Sequence, residues 1–325
     1  MAVYTQLSQD DMTNLLAQFD LGQLVSYKGI EGGIENTNYF VTLEQNNQHK
    51  DYVLTVFEEF SMDDMPFFVE LTTWLAERQI PVPFPYKDRN GIALKKLHNR
   101  PALLQPRFTG HHVAQADLSP EHCASIGTHL AKFHLASENF YLRRQAHRGV
   151  FWWRRESQNI QRYLSKEDGE LLAQEVRLFD ELREQPWGLP MGTIHGDMFH
   201  DNALFEGNQV SAILDVYNAA TAFLLFDLAI VANDWCTLPD GKVDPAREQA
   251  LLKSYHAERP FTPDEYKAWP QLTRTAAMRF WLSRLIPACG VEQAGRQSGD
   301  MVIKDPDELK RILEQRIATP SSLPS

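Results

Sequence analysis

Three cysteines, Cys123, Cys236 and Cys289, are all that this chain of 325 residues contains. They are odd in number, widely spaced and form no CxxC pair. That excludes a disulfide framework and a thiolate zinc site and fits reduced thiols. No apolar run approaches the roughly 20 residues that span a bilayer. The densest, 219–232, is interrupted by Asp227. The opening residues, Met-Ala-Val-Tyr-Thr-Gln, lack the basic segment and apolar stretch of an export signal. Positive charge is scarce as well: 32 Lys and Arg stand against 43 Asp and Glu, a net charge of −11. A general binder of nucleic acid or of a membrane surface needs a basic face, so neither partner is expected. These absences predict a cytoplasmic protein whose ligands are small molecules.

What is present can fold. With 43% hydrophobic and 23% charged residues, the chain builds a core rather than staying disordered. Its length exceeds what a single core usually supports, so two lobes are expected, 1–105 and 106–315, with a disordered tail over 316–325. The first lobe reads as strand-rich. Tyr39 to Leu43 and Tyr52 to Phe57 flank the polar pair Asn46-Asn47 in a hairpin pattern, and Asn90-Gly91 marks a second tight turn. One helix interrupts the strands. Ser61 or Asp63 can cap it, Pro66 suits its first turn, and Met65, Phe68, Leu71, Thr72 and Leu75 share a face. From Ser119 the pattern turns helical, with Pro120 as a start signal and Cys123, Ile126, Leu130 and Phe133 as an apolar stripe. Further helices are expected near 152–164, 170–184, 222–235, 247–256 and 272–285. The expected class is α+β, a small antiparallel-sheet lobe with one helix followed by a larger, mainly helical lobe.

Chemistry concentrates between 193 and 215. A short apolar strand enters the polar stretch His195-Gly196-Asp197-Met198-Phe199-His200-Asp201-Asn202. A second strand meets the turn Gly207-Asn208, and a third ends on Asp215. Asp197, Asn202 and Asp215 are thereby brought close. Phosphoryl transfer needs such a set. A carboxylate must orient the attacking hydroxyl and accept its proton, and magnesium takes hard oxygen ligands while keeping several waters. Protein kinases space base and metal ligand as H-R-D-x-x-x-x-N and add a later Asp. Here glycine replaces the arginine and the spacing is kept.

The pattern H-G-D-x-x-x-x-N, a hairpin and then Asp resembles the aminoglycoside phosphotransferase and choline kinase superfamily, which has a protein-kinase-like bilobal fold. Within it the chain is similar to the homoserine kinases from its first residues to about Leu285. The similarity includes 28–39, 54–58, Pro66 to Phe68 and Asp227 to Cys236. The resemblance implies a transferase that uses ATP and magnesium to phosphorylate the hydroxyl of L-homoserine, as a monomer or homodimer, in threonine biosynthesis. It implies Asp197 as the base, Asn202 and Asp215 as magnesium ligands, and a loop from Gly29 through Gly32, Gly33 and Asn36 to Asn38 over the ATP phosphates. It also implies a hinge at Gln105 to Arg107 that meets adenine. Two positions depart from the pattern: Val216 follows Asp215 where Phe is usual, and Thr55 stands where the wider superfamily has a phosphate-binding lysine. Lys28 is the candidate replacement cation. The competing readings are another acceptor (choline or ethanolamine, methylthioribose, an aminoglycoside), a nucleotide-binding pseudokinase, and a metal-dependent hydrolase.

Other residues carry a bland reading beside a functional one. His195 is read as fixing the loop by hydrogen bonds rather than as a base. Asp227 lies between Leu224-Leu225-Phe226 and Leu228-Ala229-Ile230, so its buried charge needs a partner. Donors of the catalytic loop, His195 among them, are expected to supply it. Glu70, with no lysine opposite, reads as a solvated helix residue. His129 and His134 are five apart and do not share a helix face well, so a metal site is not expected and His134 is read as packed in the core. Trp152-Trp153-Arg154-Arg155 is read as helix packing rather than a nucleic-acid patch. A zwitterionic acceptor needs an anion for its ammonium and a cation or backbone donors for its carboxylate. Asn36, Tyr217, Asn218, Asp234 and Arg279 are the candidates by position.

Overall fold

Ser8 and Asp11 close a reciprocal cap, each side chain accepting from the other's backbone N–H, and this starts α1 (Gln9–Leu16). In this computed structural model, which describes residues 3–30, 36–291 and 304–324, the chain divides into two units, Met1–Thr109 and Gly110–Ser325. The limit expected at 105 falls inside a strand. Among its described residues the first unit carries two helices rather than the one expected, because the short α1 declares itself through its cap and not through a long stripe.

Its sheet contains β1 (Gln23–Gly29), β2 (Asn36–Gln45), β3 (Gln48–Phe57), β4 (Lys95–Leu97) and β5 (Arg100–Pro106). All are antiparallel, in the order β1-β2-β3-β5-β4. Asn46 and Asn47 join β2 to β3 with φ of 55° and 59°. Asparagine tolerates this left-handed region, and two such residues match the twist of a tight hairpin. Alternation then sorts the side chains. Tyr39, Val41, Leu43, Tyr52, Leu54, Val56, Ala102 and Leu104 pack with Met12, Leu15 and Leu16 of α1 and with Phe19. α2 (Met65–Glu77) buries Met65, Phe68, Leu71, Thr72 and Leu75, the expected stripe. Its cap differs from expectation: Asp64 occupies the position, and its carboxylate turns back to the Ser61 backbone N–H and hydroxyl.

The second unit begins its helices with α3 (Pro120–Ser137), where the expected cap Ser119 accepts from the His122 N–H and Cys123, Ile126, Leu130 and Phe133 are fully buried. Then come α4 (Val150–Asn159), α5 (Lys166–Glu184), β6 (Met191–Ile194), β7 (Ala203–Glu206), β8 (Gln209–Ile213), β9 (Ala220–Phe223), α6 (Leu224–Trp235), α7 (Pro245–Glu258), α8 (Pro263–Ala288) and α9 (Pro306–Ala318). β6 pairs with β9 and β7 with β8, both antiparallel. Ala222, expected at a helix start, pairs in β9 instead. Every residue of α6 is buried, which fits a helix that is apolar on nearly all sides.

The end of the chain corrects the expectation of a disordered tail. Arg316 of α9 is fully buried, and its charge is held by Asn233 Oδ1 at 2.9 Å, Glu248 Oε1 at 2.6 Å and Ser321 Oγ at 3.0 Å. Leu323 is buried as well, and the Tyr266 hydroxyl donates to the Pro324 carbonyl. A buried guanidinium that would be costly without acceptors keeps the chain in place to residue 324. Among the described residues, no helix is long and apolar enough to cross a membrane.

Candidate active site

β6 delivers the chain into His195-Gly196-Asp197, and the turn is held from beneath by one carboxylate. Asp227, in the first turn of α6, accepts from the His195 N–H at 2.7 Å and from the Gly196 N–H at 2.8 Å. Gly196 has φ of +80°, and a Cβ there would stand 2.7 Å from the Asn218 carbonyl oxygen. Both observations require glycine at the position where protein kinases have arginine.

Hydrogen bonds then close a ring around Leu214, the residue before Asp215. The His195 ring accepts from the Asp197 N–H through Nδ1 at 3.3 Å and donates from Nε2 to the Leu214 carbonyl at 2.8 Å. Leu214 N–H donates to the Asn202 carbonyl at 2.8 Å, and Asn202 Nδ2 donates to the Asp197 carbonyl at 2.7 Å. Asp197 and Asn202 are therefore tied to each other and to Leu214, the residue before Asp215, by backbone, amide and imidazole groups. Asp215 itself has φ of 55° and ψ of 49°, a left-handed conformation that an aspartate adopts at some strain. It launches a short helical turn, Val216–Asn218, from which Asn218 Nδ2 reaches Asp197 Oδ2 at 3.4 Å.

Burial decides the protonation states. His195 is fully buried, and desolvation of the imidazolium moves its pKa below the ordinary histidine value. The neutral ring makes both hydrogen bonds, to the loop and to Leu214. Burial alone would push the Asp227 carboxyl up, but its hydrogen bond with His134, the neighbouring imidazoles and the Gly196 N–H bring it below the usual carboxylate value. His134 Nε2 lies 3.1 Å from Asp227 Oδ2, and His134 Nδ1 lies 2.7 Å from the Tyr255 hydroxyl. Desolvation lowers the His134 pKa too. The neutral ring therefore donates to Asp227 and accepts from Tyr255. The expected partner of Asp227 was the catalytic loop including His195. The loop supplies two backbone donors, and among the described residues the one side-chain donor is His134 from α3. Sequence reasoning had assigned His134 to the core, and its five-residue spacing from His129 gave no sign of this bond.

The other candidates sort by place. On the first unit's sheet, Asn38, Thr55 and Gln105 form a polar row on the face opposite α1. Thr55 Oγ1 lies 2.7 Å from Asn38 Oδ1 and 3.3 Å from Gln105 Oε1. Asn36 is buried at the start of β2, Gly29 ends β1, and Arg107 is exposed with its guanidinium 3.9 Å over the Phe40 ring and 3.1 Å from Asp51. Gly32 and Gly33 lie outside the described residues. Lys28 and Glu70 are exposed.

In the second unit Tyr217 and Asn218 lie on the short turn that follows Asp215, and Asn218 reaches Asp197. Asp234 is engaged elsewhere: its Oδ2 accepts from the His200 N–H at 2.6 Å and meets His200 Nδ1 at 2.8 Å. Burial would lower the His200 pKa, but the Asp234 carboxylate carries it above the ordinary value. Asp234 thus braces the loop between Asp197 and Asn202. Arg279 lies 4.0 Å over the Phe280 ring, which meets Phe199 of the loop edge-on at 4.6 Å. Trp153 packs against Phe179 and Phe226, and Arg154 pairs with Asp180, so that segment is helix packing.

Among the described residues no three His, Cys, Asp or Glu side chains converge on a metal cage. Magnesium does not need one, since it keeps waters and takes phosphate oxygens. Asn202 commits its amide nitrogen to the Asp197 carbonyl, so its amide oxygen is the atom that would meet a metal ion. Together with the Asp215 carboxylate this hard oxygen set fits the ion.

The model of the phosphotransferase enzyme family matches residues 26–269. A homoserine kinase of Pseudomonas aeruginosa (strain LESB58) is 41% identical over 316 residues, covering 97% of this chain and 96% of its own. A homoserine kinase of Methylobacillus flagellatus is 41% identical over 322 residues, covering 98% and 96%. A solved structure of an amicoumacin kinase in complex with AMP-PNP, Ca2+ and Ami matches with a TM-score of 0.70 at 15% identity, covering 96% of this chain and 92% of that one. At that identity the likeness establishes the fold.

Proposed function

The chain belongs to the homoserine kinases of the phosphotransferase enzyme family, and from that premise we propose that it transfers the γ-phosphoryl group of ATP to the hydroxyl of L-homoserine. The observation that carries the mechanism is the ring of hydrogen bonds that ties Asp197, Asn202 and Leu214-Asp215 together over the buried Asp227. Positioning of this kind is most of what phosphoryl transfer asks of a protein.

In this reading Asp197 accepts a hydrogen bond from the acceptor hydroxyl and aligns its oxygen with the γ-phosphorus. The new O–P bond forms as the bond to the β,γ-bridging oxygen breaks. The hydroxyl proton passes to Asp197, and ADP leaves. Asn202 and Asp215 are the residues that would hold magnesium, which neutralises phosphate charge when bound. Asn218, on the Asp197 carboxylate, keeps that side chain in one orientation, and Tyr217 flanks the acceptor. His195 and Asp227 act through the backbone of the loop. Nucleotide contacts are assigned to the stretch Gly29 to Asn38 and to Gln105–Arg107. The neutral row Asn38, Thr55 and Gln105 offers dipoles where related enzymes have a lysine. The reaction is expected in the cytoplasm, where ATP is abundant.

ADP release with Mg-ATP and a panel of L-homoserine, L-serine, L-threonine, choline, methylthioribose and kanamycin tests the acceptor. Stimulation by L-homoserine above all others is expected. Asp197→Ala should then lower kcat at least 1,000-fold, in the range lost when a positioned base and its alignment disappear, while ATP still binds. Stimulation by a different acceptor would discard L-homoserine, and loss of ATP binding by a folded Asp197→Ala would discard the base role.

A further inference from the structure

The Asp227 anchor accounts for only the leading side of the reactive loop. His195 and Gly196, just before Asp197, give it their N–H groups. The residues after Asp197 are held by the other end of the same helix. Asp234 accepts from the His200 N–H at 2.6 Å. The indole of Trp235 donates from Nε1 to the Met198 carbonyl at 3.0 Å. Asp227 and Trp235 are eight positions apart, roughly 12 Å along a helix axis at about 1.5 Å per residue. α6 therefore grips the loop on both sides of Asp197. Asn233, just before these two residues, serves the Thr273 carbonyl and Arg316 instead.

Of these two holds, the one made by Trp235 reaches further. The Met198 carbonyl and the Phe199 N–H belong to one peptide group, which is planar. Its oxygen meets the indole, and its N–H donates to the Asp197 carbonyl at 2.9 Å. The same Asp197 carbonyl accepts from Asn202 Nδ2 at 2.7 Å. One rigid plate thus carries the constraint from Trp235 to the backbone of Asp197 and to the amide of Asn202. The indole is itself fixed. Trp235 is fully buried, and its ring centre lies 5.8 Å from that of Phe205 in β7, the strand that follows Asn202. Met198 is fully buried as well, so solvent is not at hand to replace the bond if it is lost.

We propose that Trp235 is a positioning residue for phosphoryl transfer, setting the backbone of Asp197 through the 198–199 peptide. The inference rests on the reading of Asp197 as the base. Trp235 acts through the loop rather than on a substrate. A misplacement of about 1 Å costs on the order of 100-fold in rate. An interaction that matters only for alignment in the transition state lowers kcat and leaves KM in place.

The test sets Trp235→Phe beside Trp269→Phe. Trp269 of α8 is equally buried, and its Nε1 also donates at 3.0 Å, but to Ser321 in the tail. Each change removes one indole N–H and leaves a similar void, so a merely structural role predicts equal effects. Both variants should melt at a lower temperature than the wild type. With Mg-ATP and the acceptor that stimulates wild-type turnover, Trp235→Phe should lower kcat per folded molecule about 10- to 100-fold. KM for ATP and for the acceptor should stay within about twofold. Trp269→Phe should keep all three constants. Placing 3-benzothienylalanine at position 235 puts sulfur where the indole N–H was and keeps the shape of the ring. It should reproduce the loss in kcat, and it serves if the phenylalanine variant does not fold. Wild-type kcat in either variant at position 235, or an equal fall of kcat in Trp269→Phe, overturns the proposal and leaves the kinase reading intact. A wild-type enzyme without acceptor-dependent ADP release overturns the kinase reading itself, and the proposal with it.

Discussion

Two buried ions lie at opposite ends of α6, and they hold different things. At its start Asp227 gathers two backbone N–H groups of the reactive loop and the His134 ring. Near its end Asn233, with Glu248 and Ser321, receives the guanidinium of Arg316 and so fixes α9 and the tail. Both ions are fully buried. The first is satisfied mostly by backbone, so it sets where a loop runs. The second is satisfied mostly by side chains, so it sets which helix packs where. A buried ion pair is weak evidence for stability in itself, because desolvation offsets much of the attraction. Its value here is in position, and only one of the two positions concerns the chemistry.

Removing each ion should separate those roles. Asp227→Ala leaves two backbone donors and an imidazole buried without an acceptor. It should destabilise the fold by about 3–5 kcal/mol and lower kcat by two orders of magnitude or more in the molecules that remain folded. Thermal melting and single-turnover phosphorylation measure the two effects. A folded Asp227→Ala with wild-type kcat would show that the loop does not depend on this anchor. Arg316→Met should cost a little less, about 2–4 kcal/mol, because one guanidinium nitrogen, Nη2, already makes no hydrogen bond among the described residues. Its kcat per folded molecule should not change. A drop in kcat comparable to that of Asp227→Ala would erase the distinction between the two ends.

The same contrast shows what the sequence could reveal. Asp197, Asn202 and Asp215 were legible because their spacing is short and the strands between them fix the geometry. Asp227 was legible as a buried charge in an apolar helix, and its need for donors followed. Its side-chain partner was not, because His134 lies 93 positions away and no local pattern distinguishes a core histidine from a bonded one. Asp234 was singled out only by its closeness to a matched motif, and nothing local in the sequence announced its bond to His200. α9 was missed although Asp305-Pro306 is a readable start and Leu309, Ile312 and Leu313 a readable stripe. α1 was missed because eight residues carry too little periodicity to stand out, and only the Ser8–Asp11 cap gave it away.

Acid should distinguish the two ends most gently. His134 and His195, both in contact with the Asp227 network, have folded pKa values below the ordinary 6.5 because burial penalises the imidazolium. An unfolded chain binds protons there that the folded chain excludes. Stability is therefore complete above 6.5 and falls as pH drops below it, by up to about 1.4 kcal/mol per pH unit for each ring, until the folded pKa is reached. Asp227 acts in the same direction at lower pH: its folded value lies below 3.8, so its contribution is present above 3.8 and lost as pH falls through the folded value. His200 opposes them, since its folded pKa is raised; its contribution is complete below 6.5 and is lost as pH climbs through the folded value. Burial also lowers His129, outside this network, so three depressed imidazoles stand against one raised imidazole and the melting temperature should decline between pH 7 and pH 5. Arg316 does not titrate in that range, and Arg316→Met should lower the melting curve by the same amount at both ends of it. His134→Gln removes one of the three depressed rings and should flatten the acid slope. A slope unchanged by His134→Gln would mean that the acid sensitivity arises outside the Asp227 anchor.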